Sequence, residues 1–442
     1  MALPRRMMLT GFGGLAAALA GAAARPAAAW PGEEEPPRRA PAAPPGVTPG
    51  ELARDERFWS SVARQFRVTD EFVNLENGYY GIMPEPVRLA YHRNVDHLNA
   101  CNSYLLRTSY KERADRVRDR IAALLGASAD EIALTRGGTE ALQNLISCYR
   151  RLRPGDTVMY ADLDYPTGRQ TMDWLRGRRG VDVAQVVIPE PAHRQAVLDA
   201  YERALRAHPR VRLLLLSHMN NVTGLVTPVR EIVAMARERG ADVIVDAAHS
   251  WGHLDFTIGD LGADFGVFSL HKWMGAPLGS GFLYVRRGRL DDVEPVFGDA
   301  STPDPDIRTR VHSGTMDVAP ILTVDTALDF HEALGGAVKQ ARLRYLRDRW
   351  VGRVRDIPGT AILTPDDPAA YGAITAFRLP GRTSQADNLA VARTLMDRYR
   401  IFTVQRSGPV GGDCVRVTPA LFTSSADVDR LASALRDLSR TS

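Results

Sequence analysis

Lysine is nearly absent from this chain. Of its 56 basic residues only Lys111, Lys272 and Lys339 are lysines, and the other 53 are arginines. Cysteine is equally scarce. Cys101, Cys148 and Cys414 follow no metal-ligand spacing and do not make an even set, so neither a metal site nor a disulfide framework is expected. A surplus of one charge is missing too. The formal charge of +4 includes Arg5, Arg6 and Arg25, and without residues 1–29 the balance is 53 basic against 52 acidic residues. With no basic stripe carrying interleaved aromatics, a nucleic-acid partner is not expected. Nor is there a run of bulky apolar residues that would span a bilayer: Leu9–Ala24 is short and rich in Gly and Ala, which makes a poor transmembrane helix. What remains is 442 residues with 45% apolar content, enough for a substantial globular core.

The N-terminus reads as an export signal. Two arginines in PRRMMLTGFGG precede the weakly apolar stretch, and Ala27–Ala29 supplies a small-residue cleavage site before Trp30. The pattern resembles a twin-arginine signal over residues 1–29, so the expected location is periplasmic or extracellular; an Ala-rich disordered head is the alternative. Residues 30–70 read as a Pro-rich linker and N-terminal segment.

The lysines differ in their surroundings. Lys111 in YKERADRVRDR and Lys339 in GGAVKQARLRYLRDR lie in charged stretches of helical spacing, where a solvated face accounts for them. Lys272 follows the apolar run Val267–Leu270 and precedes Gly275, Gly279 and Gly281, which puts it at a strand end beside a tight loop. Arginine stays protonated in proteins, whereas lysine can lose its proton when desolvated and attack a carbonyl. Lys272 is therefore either a Schiff-base lysine or a surface charge at a strand end.

From about Asn74 the pattern alternates between helix and strand. Helical stretches are expected over 110–126, in TEALQNLISCYRRL and over 228–239. EIALT (131–135), DTVMYA (156–161), VRLLLLS (211–217), ADVIVDAA (241–248) and FGVFSL (265–270) read as buried strands. Continuous apolar strands alternating with helices predict an α/β fold with a mainly parallel sheet covered on both faces. Ligands bind such sheets beyond the carboxyl ends of the strands. After about residue 320 a long helical run, 321–350, is followed by short strands, so a large domain over 71–319 and a smaller α+β domain over 320–442 are expected.

Five strand ends deliver polar residues to one crevice. After EIALT, Gly137, Gly138 and Thr139 open a helix whose free N–H groups suit a phosphate, although Thr before Glu is also an ordinary helix cap. ADVIVD ends in Asp246, followed by His249. A carboxylate emerging from a buried strand is expensive unless it meets a cation such as a protonated pyridine, or loop amides. Ser269, His271 and Lys272 end FGVFSL; Tyr165 follows DTVMYA; Asn220 and Asn221 follow VRLLLLS. A phosphate cradle, an acid for a ring nitrogen, an amine for an aldehyde and an aromatic for a ring face together fit pyridoxal 5′-phosphate, PLP.

The order GGTE, DYP, NNVTG, DAAHSWG, SLHK, SGT and RVTPALFTSSADVDRL, over roughly residues 70–440, resembles the class V aminotransferase family of fold-type-I PLP enzymes, and within it the isopenicillin N epimerase-like branch. The resemblance implies a seven-stranded sheet with a smaller C-terminal domain. It implies that Lys272 forms the Schiff base, that Asp246 pairs the pyridine nitrogen, and that His249 reaches the ring hydroxyl. Tyr165 takes the ring-stacking position, more often His in relatives. Gly138, Thr139, Ser269 and His271 match phosphate-site positions, and Asn221 an Asn near the ring oxygen. Arg416 matches an arginine that clamps the substrate carboxylate, with Arg406 as a second candidate. Thr315 resembles a Thr that reaches the neighbouring subunit's phosphate, which implies a homodimer.

The family's chemistry leaves several outcomes at Cα of a small amino-acid or peptide-like amine. Epimerisation and oxygen-dependent oxidative deamination are favoured, because neither draws on a keto-acid pool outside the cell; transamination and Cβ cleavage are alternatives. Desulfuration needs a nucleophilic Cys on the loop after Arg406, and SGPVGGD has none. A non-enzymatic PLP-binding protein has no need for the set Lys272, Asp246 and Arg416.

Overall fold

The computed structural model describes residues 41–440 except 301, 303, 304 and 313; the expected export signal and the first part of the Pro-rich segment lie outside them. The central element is a seven-stranded sheet. Its strands are β1 (Ile132–Thr135), β2 (Thr157–Ala161), β3 (Asp182–Val186), β4 (Val211–Ser217), β5 (Asp242–Asp246), β6 (Phe265–Ser269) and β7 (Gly281–Val285), in the spatial order β1-β7-β6-β5-β4-β2-β3. Only β7 runs against the others, pairing antiparallel with β1 and β6.

Both faces of the sheet are buried, which explains the unbroken apolar runs. Leu214, Leu216, Val243 and Val245 pack into one core while Leu213, Leu215 and Ile244 pack into another, as the two-residue period of a strand requires. Helices Gly138–Cys148, Pro166–Arg179 and Val229–Glu238 follow β1, β2 and β4. Each returns the chain to the start of the next parallel strand, so the carboxyl ends of β1, β2, β4, β5 and β6 all open on one edge.

A second sheet is antiparallel and built from β8 (Ala361–Ile362), β9 (Thr375–Arg378), β10 (Val404–Arg406) and β11 (Cys414–Val417), in the order β10-β11-β9-β8. Its register sets Arg416 opposite Val404 and Arg406 opposite Cys414. Near the start of the chain, Val73–Asn74 pairs in parallel with Ile401–Phe402, and Glu76 bridges to Thr418. The following segment crosses to the first sheet, where the Gly81 N–H donates to the His271 carbonyl at 2.9 Å. A side chain at Gly81 would bring a Cβ within 2.2 Å of the Lys272 carbonyl oxygen, so only glycine permits this approach.

Two expectations are corrected. The run 321–350 is two helices, Ala319–Leu334 and Gly336–Val354, because Gly335 adopts φ 83° and ends the first. Lys339 is not on a solvated face: it is only 2% exposed, its Nζ donates to the Trp273 carbonyl at 3.0 Å, and it lies 3.0 Å from His331 Nδ1. The helix around it also buries Arg342, whose partners Glu56, the Ala53 carbonyl and the Thr423 carbonyl are far away in sequence. Lys111, by contrast, is exposed and paired with Asp115.

Burial pushes the Lys339 amine down to about 7. Below that pH the folded and unfolded chains both carry the proton, and the cost of burying the charge is felt in full. Above it the unfolded chain keeps a proton that the folded chain has lost, so stability rises with pH until the ordinary value of 10.5 is reached. Wild type should therefore gain on Lys339→Met by up to about 1 kcal/mol per pH unit between about pH 7 and about pH 9 in urea denaturation. Parallel pH profiles for the two proteins would contradict a buried amine whose pKa is lowered.

Candidate active site

The strand ends meet at a cleft of about 640 Å³. Lys272, Asp246 and His249 line it from the β5 and β6 ends, Thr139 from the helix after β1, Tyr165 from the β2 end and Asn221 from the β4 end. Gly138, Ser269 and His271 line it as well, as do Arg406 and Arg416 from the second sheet. Thr315 is exposed and is not among the lining residues. Asn220, beside Asn221, is buried in the loop itself, where its Oδ1 accepts from the N–H groups of Val222 and Thr223 at 2.8 Å.

Lys272 is placed to give up its proton readily. Its Nζ lies 2.8 Å from His249 Nε2, and the indole N–H of Trp273 donates to His249 Nδ1 at 3.4 Å. A neutral imidazole that accepts at Nδ1 carries its proton on Nε2, so it can donate to Lys272 only when that amine is unprotonated. The electrostatics agree. Burial, opposed by Asp246 and assisted by Arg416, takes the Lys272 pKa down to about 8, and burial with the nearby Lys272 charge holds His249 far below its usual range.

Asp246 is the counterpart. It is buried, its carboxyl is pushed upward by desolvation, and the Ala248 N–H donates to Oδ1 at 2.9 Å. One amide is a thin partner set for a buried carboxylate that faces a cleft, and a pyridinium N–H is the kind of group that completes it. On the other side, Gly138 begins an eleven-residue helix, and its N–H lies 3.2 Å from Ser269 Oγ. A Cβ at Gly138 would sit 2.7 Å from that oxygen, so glycine lets the start of the helix, its positive end, lie against Ser269 at the cleft. These residues fit PLP: amine, buried acid and phosphate cradle share one cleft. Among the described residues no cluster of His, Cys, Asp or Glu could hold a metal ion.

Sequence reasoning missed the segment that closes the cleft. Glu76 Oε1 lies 2.5 Å from Arg416 Nη2 and 3.7 Å from Arg406 Nη2, and Arg416 Nη1 donates to the Asn221 carbonyl at 2.5 Å. A Cβ at Gly78 would come within 2.7 Å of the Arg416 guanidinium, so glycine lets that group lie against the backbone. Asn77 fastens the segment, accepting nothing from the cleft but donating to Thr418 through its own N–H at 2.6 Å and through Nδ2 at 2.8 Å. The signal available in the sequence was NLENGYYG, a turn-rich stretch holding a lone acid. None of the cysteines lines the cleft; Cys414 is buried and its thiol is pushed up to about 12.

Comparison with known proteins gives the family. The family model for aminotransferase class V matches residues 88–431. Isopenicillin N epimerase from Streptomyces clavuligerus is 31% identical over 396 residues, covering 85% of this chain and 97% of its own. A cysteine desulfurase from Pectobacterium atrosepticum is 29% identical over 348 residues, covering 74% and 82%. The apo structure of cysteine desulfurase from Thermococcus onnurineus NA1 superposes with a TM-score of 0.75 at 20% identity, covering 86% of this chain and 98% of that one, and so shares the fold. This chain belongs to the class V aminotransferase family of PLP-dependent enzymes.

Proposed function

We propose that the enzyme moves a proton at Cα of an amino-acid or peptide-like amine, by epimerisation or oxygen-dependent oxidative deamination. The observation that carries this reading is the Lys272–His249 pair, a buried amine inside the cleft whose hold on its proton is weakened. PLP supplies an electron sink that stabilises negative charge at Cα of an attached amine. Gly138, Thr139, Ser269 and His271 would hold its phosphate, Asp246 its ring nitrogen and Lys272 its aldehyde carbon. Lys272 Nζ is the group suited to take and return the Cα proton, and His249 Nε2, at 2.8 Å, steadies the amine in its free form. The buried Asp246, whose carboxyl resists ionising alone, would ionise against a cationic ring nitrogen, and the neighbouring apolar core shields it from water.

Proton movement needs no second amino-group acceptor. Transamination does, and an exported enzyme has no metabolic keto-acid pool to draw on. Similarity to isopenicillin N epimerase supports the same choice. Desulfuration is disfavoured because Cys414 is buried with a thiol held protonated. Thr315, exposed and away from its own cleft, suits a homodimer in which it reaches the second copy's phosphate. The twin-arginine segment suits export of a folded, cofactor-loaded protein. Changing Arg5-Arg6 to Lys-Lys should retain holoenzyme in the cell on fractionation, and unchanged export would indicate another route.

Two lysines have depressed pKa values, so attachment must be mapped. Borohydride trapping and mass spectrometry should find the cofactor on Lys272 in wild type and on no lysine in Lys272→Arg. Attachment at Lys339 or Lys111 would overturn the assignment. With a pKa of about 8, roughly a tenth of Lys272 is free amine at pH 7, against about one part in a few thousand for an ordinary lysine. Because the free amine is the nucleophile, loading of apoprotein should speed up as pH rises and level off above about pH 8; a midpoint near 10.5 would mean a solvated lysine.

The reaction is decided in deuterated water without any keto acid. Deuterium entering Cα under anaerobic conditions would identify epimerase-like exchange, and carbonyl product formed repeatedly only with oxygen would identify an oxidase. Product that stops after one turnover until a keto acid is added would show a transaminase, and pyruvate or sulfide from a Cβ-substituted substrate would show a lyase.

A further inference from the structure

The turn that carries Lys272 is held at three successive carbonyl groups. The His271 carbonyl accepts from the Gly81 N–H at 2.9 Å, the Lys272 carbonyl from the Gly275 N–H at 3.3 Å, and the Trp273 carbonyl from Lys339 Nζ at 3.0 Å. The first two donors are backbone groups. The third is a buried side chain from the helix Gly336–Val354, whose other neighbour is His331 Nδ1 at 3.0 Å. A cavity of about 40 Å³ lies between Lys272, Trp273 and Lys339, so close packing alone does not pin the turn.

Trp273 passes that anchorage on to the cleft. Its indole N–H donates to His249 Nδ1 at 3.4 Å, and His249 Nε2 lies 2.8 Å from Lys272 Nζ. The Trp273 ring shares an apolar cluster with Leu343, which follows Lys339 by one helical turn on the same face. An amine suits the carbonyl. It donates with or without its extra proton, so the bond outlasts the loss of charge at Lys339, and it needs less room than a guanidinium. With the Trp273 N–H aimed at Nδ1, the His249 proton sits on Nε2 and favours Lys272 as the free amine. Were the indole to shift, the proton would be free to sit on Nδ1, Nε2 would accept from a Lys272 ammonium, and that lysine would keep its proton to higher pH.

We propose that Lys339 is a positioning residue for Lys272, acting through the carbonyl and indole of Trp273 on the tautomer of His249. This rests on the reading of Lys272 as the lysine that receives the cofactor. Lys339 does not line the cleft, and its influence runs through bonds rather than charge. The charged groups that weigh most on Lys272 are Asp246, Arg416, Glu76 and Arg406. Around Lys339 the titratable groups are His331 and His253, both held neutral by burial. Two of the three lysines in an arginine-rich chain thus stand at one turn, one inside the cleft and one behind it.

The test is the pH dependence of cofactor loading, measured with pyridoxal 5′-phosphate on the full chain freed of cofactor, with urea denaturation alongside. Trp273→Phe and Lys339→Met should each move the midpoint of the loading rate upward by about half a pH unit or more. The double variant should move it no further than the larger single shift, because the two residues lie on one path; a through-space effect of the Lys339 charge would add instead. Leu343→Ala, which loosens the same cluster, should lower stability in urea without moving the midpoint. The proposal is overturned if Lys339→Met leaves the midpoint in place, if the two shifts add, or if Leu343→Ala moves it as far. Should Lys339→Met not fold, Lys339→Gln, whose amide stops one bond short of the carbonyl, replaces it with the same expectation. Borohydride trapping separates the two readings. Cofactor on another lysine of wild type would overturn the assignment of Lys272, whereas cofactor on Lys272 with an unmoved midpoint in the Lys339 variant would overturn this proposal alone.

Discussion

Desolvation of charge at one edge of the parallel sheet is the constraint on which the rest of the structure depends. A lysine, a carboxylate and an arginine are each taken out of water within one cleft, and each must be compensated or neutralised. The three solutions differ. Lys272 gives up part of its claim to a proton, Asp246 resists ionising while only Ala248 donates to it, and Arg416 takes a permanent partner in Glu76. The first two are unfinished states that a PLP ring and aldehyde would complete, whereas the third already has a charged partner within the chain.

The scaffold makes that desolvation possible. Because both faces of the sheet are packed, the ends of β5 and β6 cannot splay to let water in, and Asp246 and Lys272 inherit the rigidity of their strands. The loop after Lys272 is clamped from several sides. Gly81 meets its start, Lys339 bonds the Trp273 carbonyl, and the Trp273 ring sits over His253 with centroids 3.9 Å apart. His249 is thus oriented through Trp273, and its tautomer is decided by a residue that does not itself line the cleft.

How much of this could be read in the sequence follows from the same physics. Parallel strands buried on both faces are continuous apolar runs, so a polar residue at the end of one stands out, and Asp246, Lys272, Ser269 and Tyr165 were legible for that reason. The rarity of lysine added a second signal for Lys272. It misled for Lys339, because a charged residue in an arginine-rich helix reads as solvated when its partners are distant carbonyl groups and a histidine. The same applies to Arg342, whose ion pair with Glu56 spans most of the chain. Glu76 was invisible for a related reason. It lies beyond a strand of two residues, and its arginine arrives 340 positions later on an antiparallel sheet.

The two halves of the cleft also differ in what they can change. The cofactor half draws on five strand ends of one sheet, so altering any member disturbs packing that the fold itself needs. The other half is assembled between a short N-terminal segment and β10–β11, where Glu76 lies 2.5 Å from Arg416 and 3.7 Å from Arg406. The cofactor half is seated on strands that cannot move, whereas the Glu76–Arg416 pair beside it joins a segment and a sheet that meet only in the folded chain.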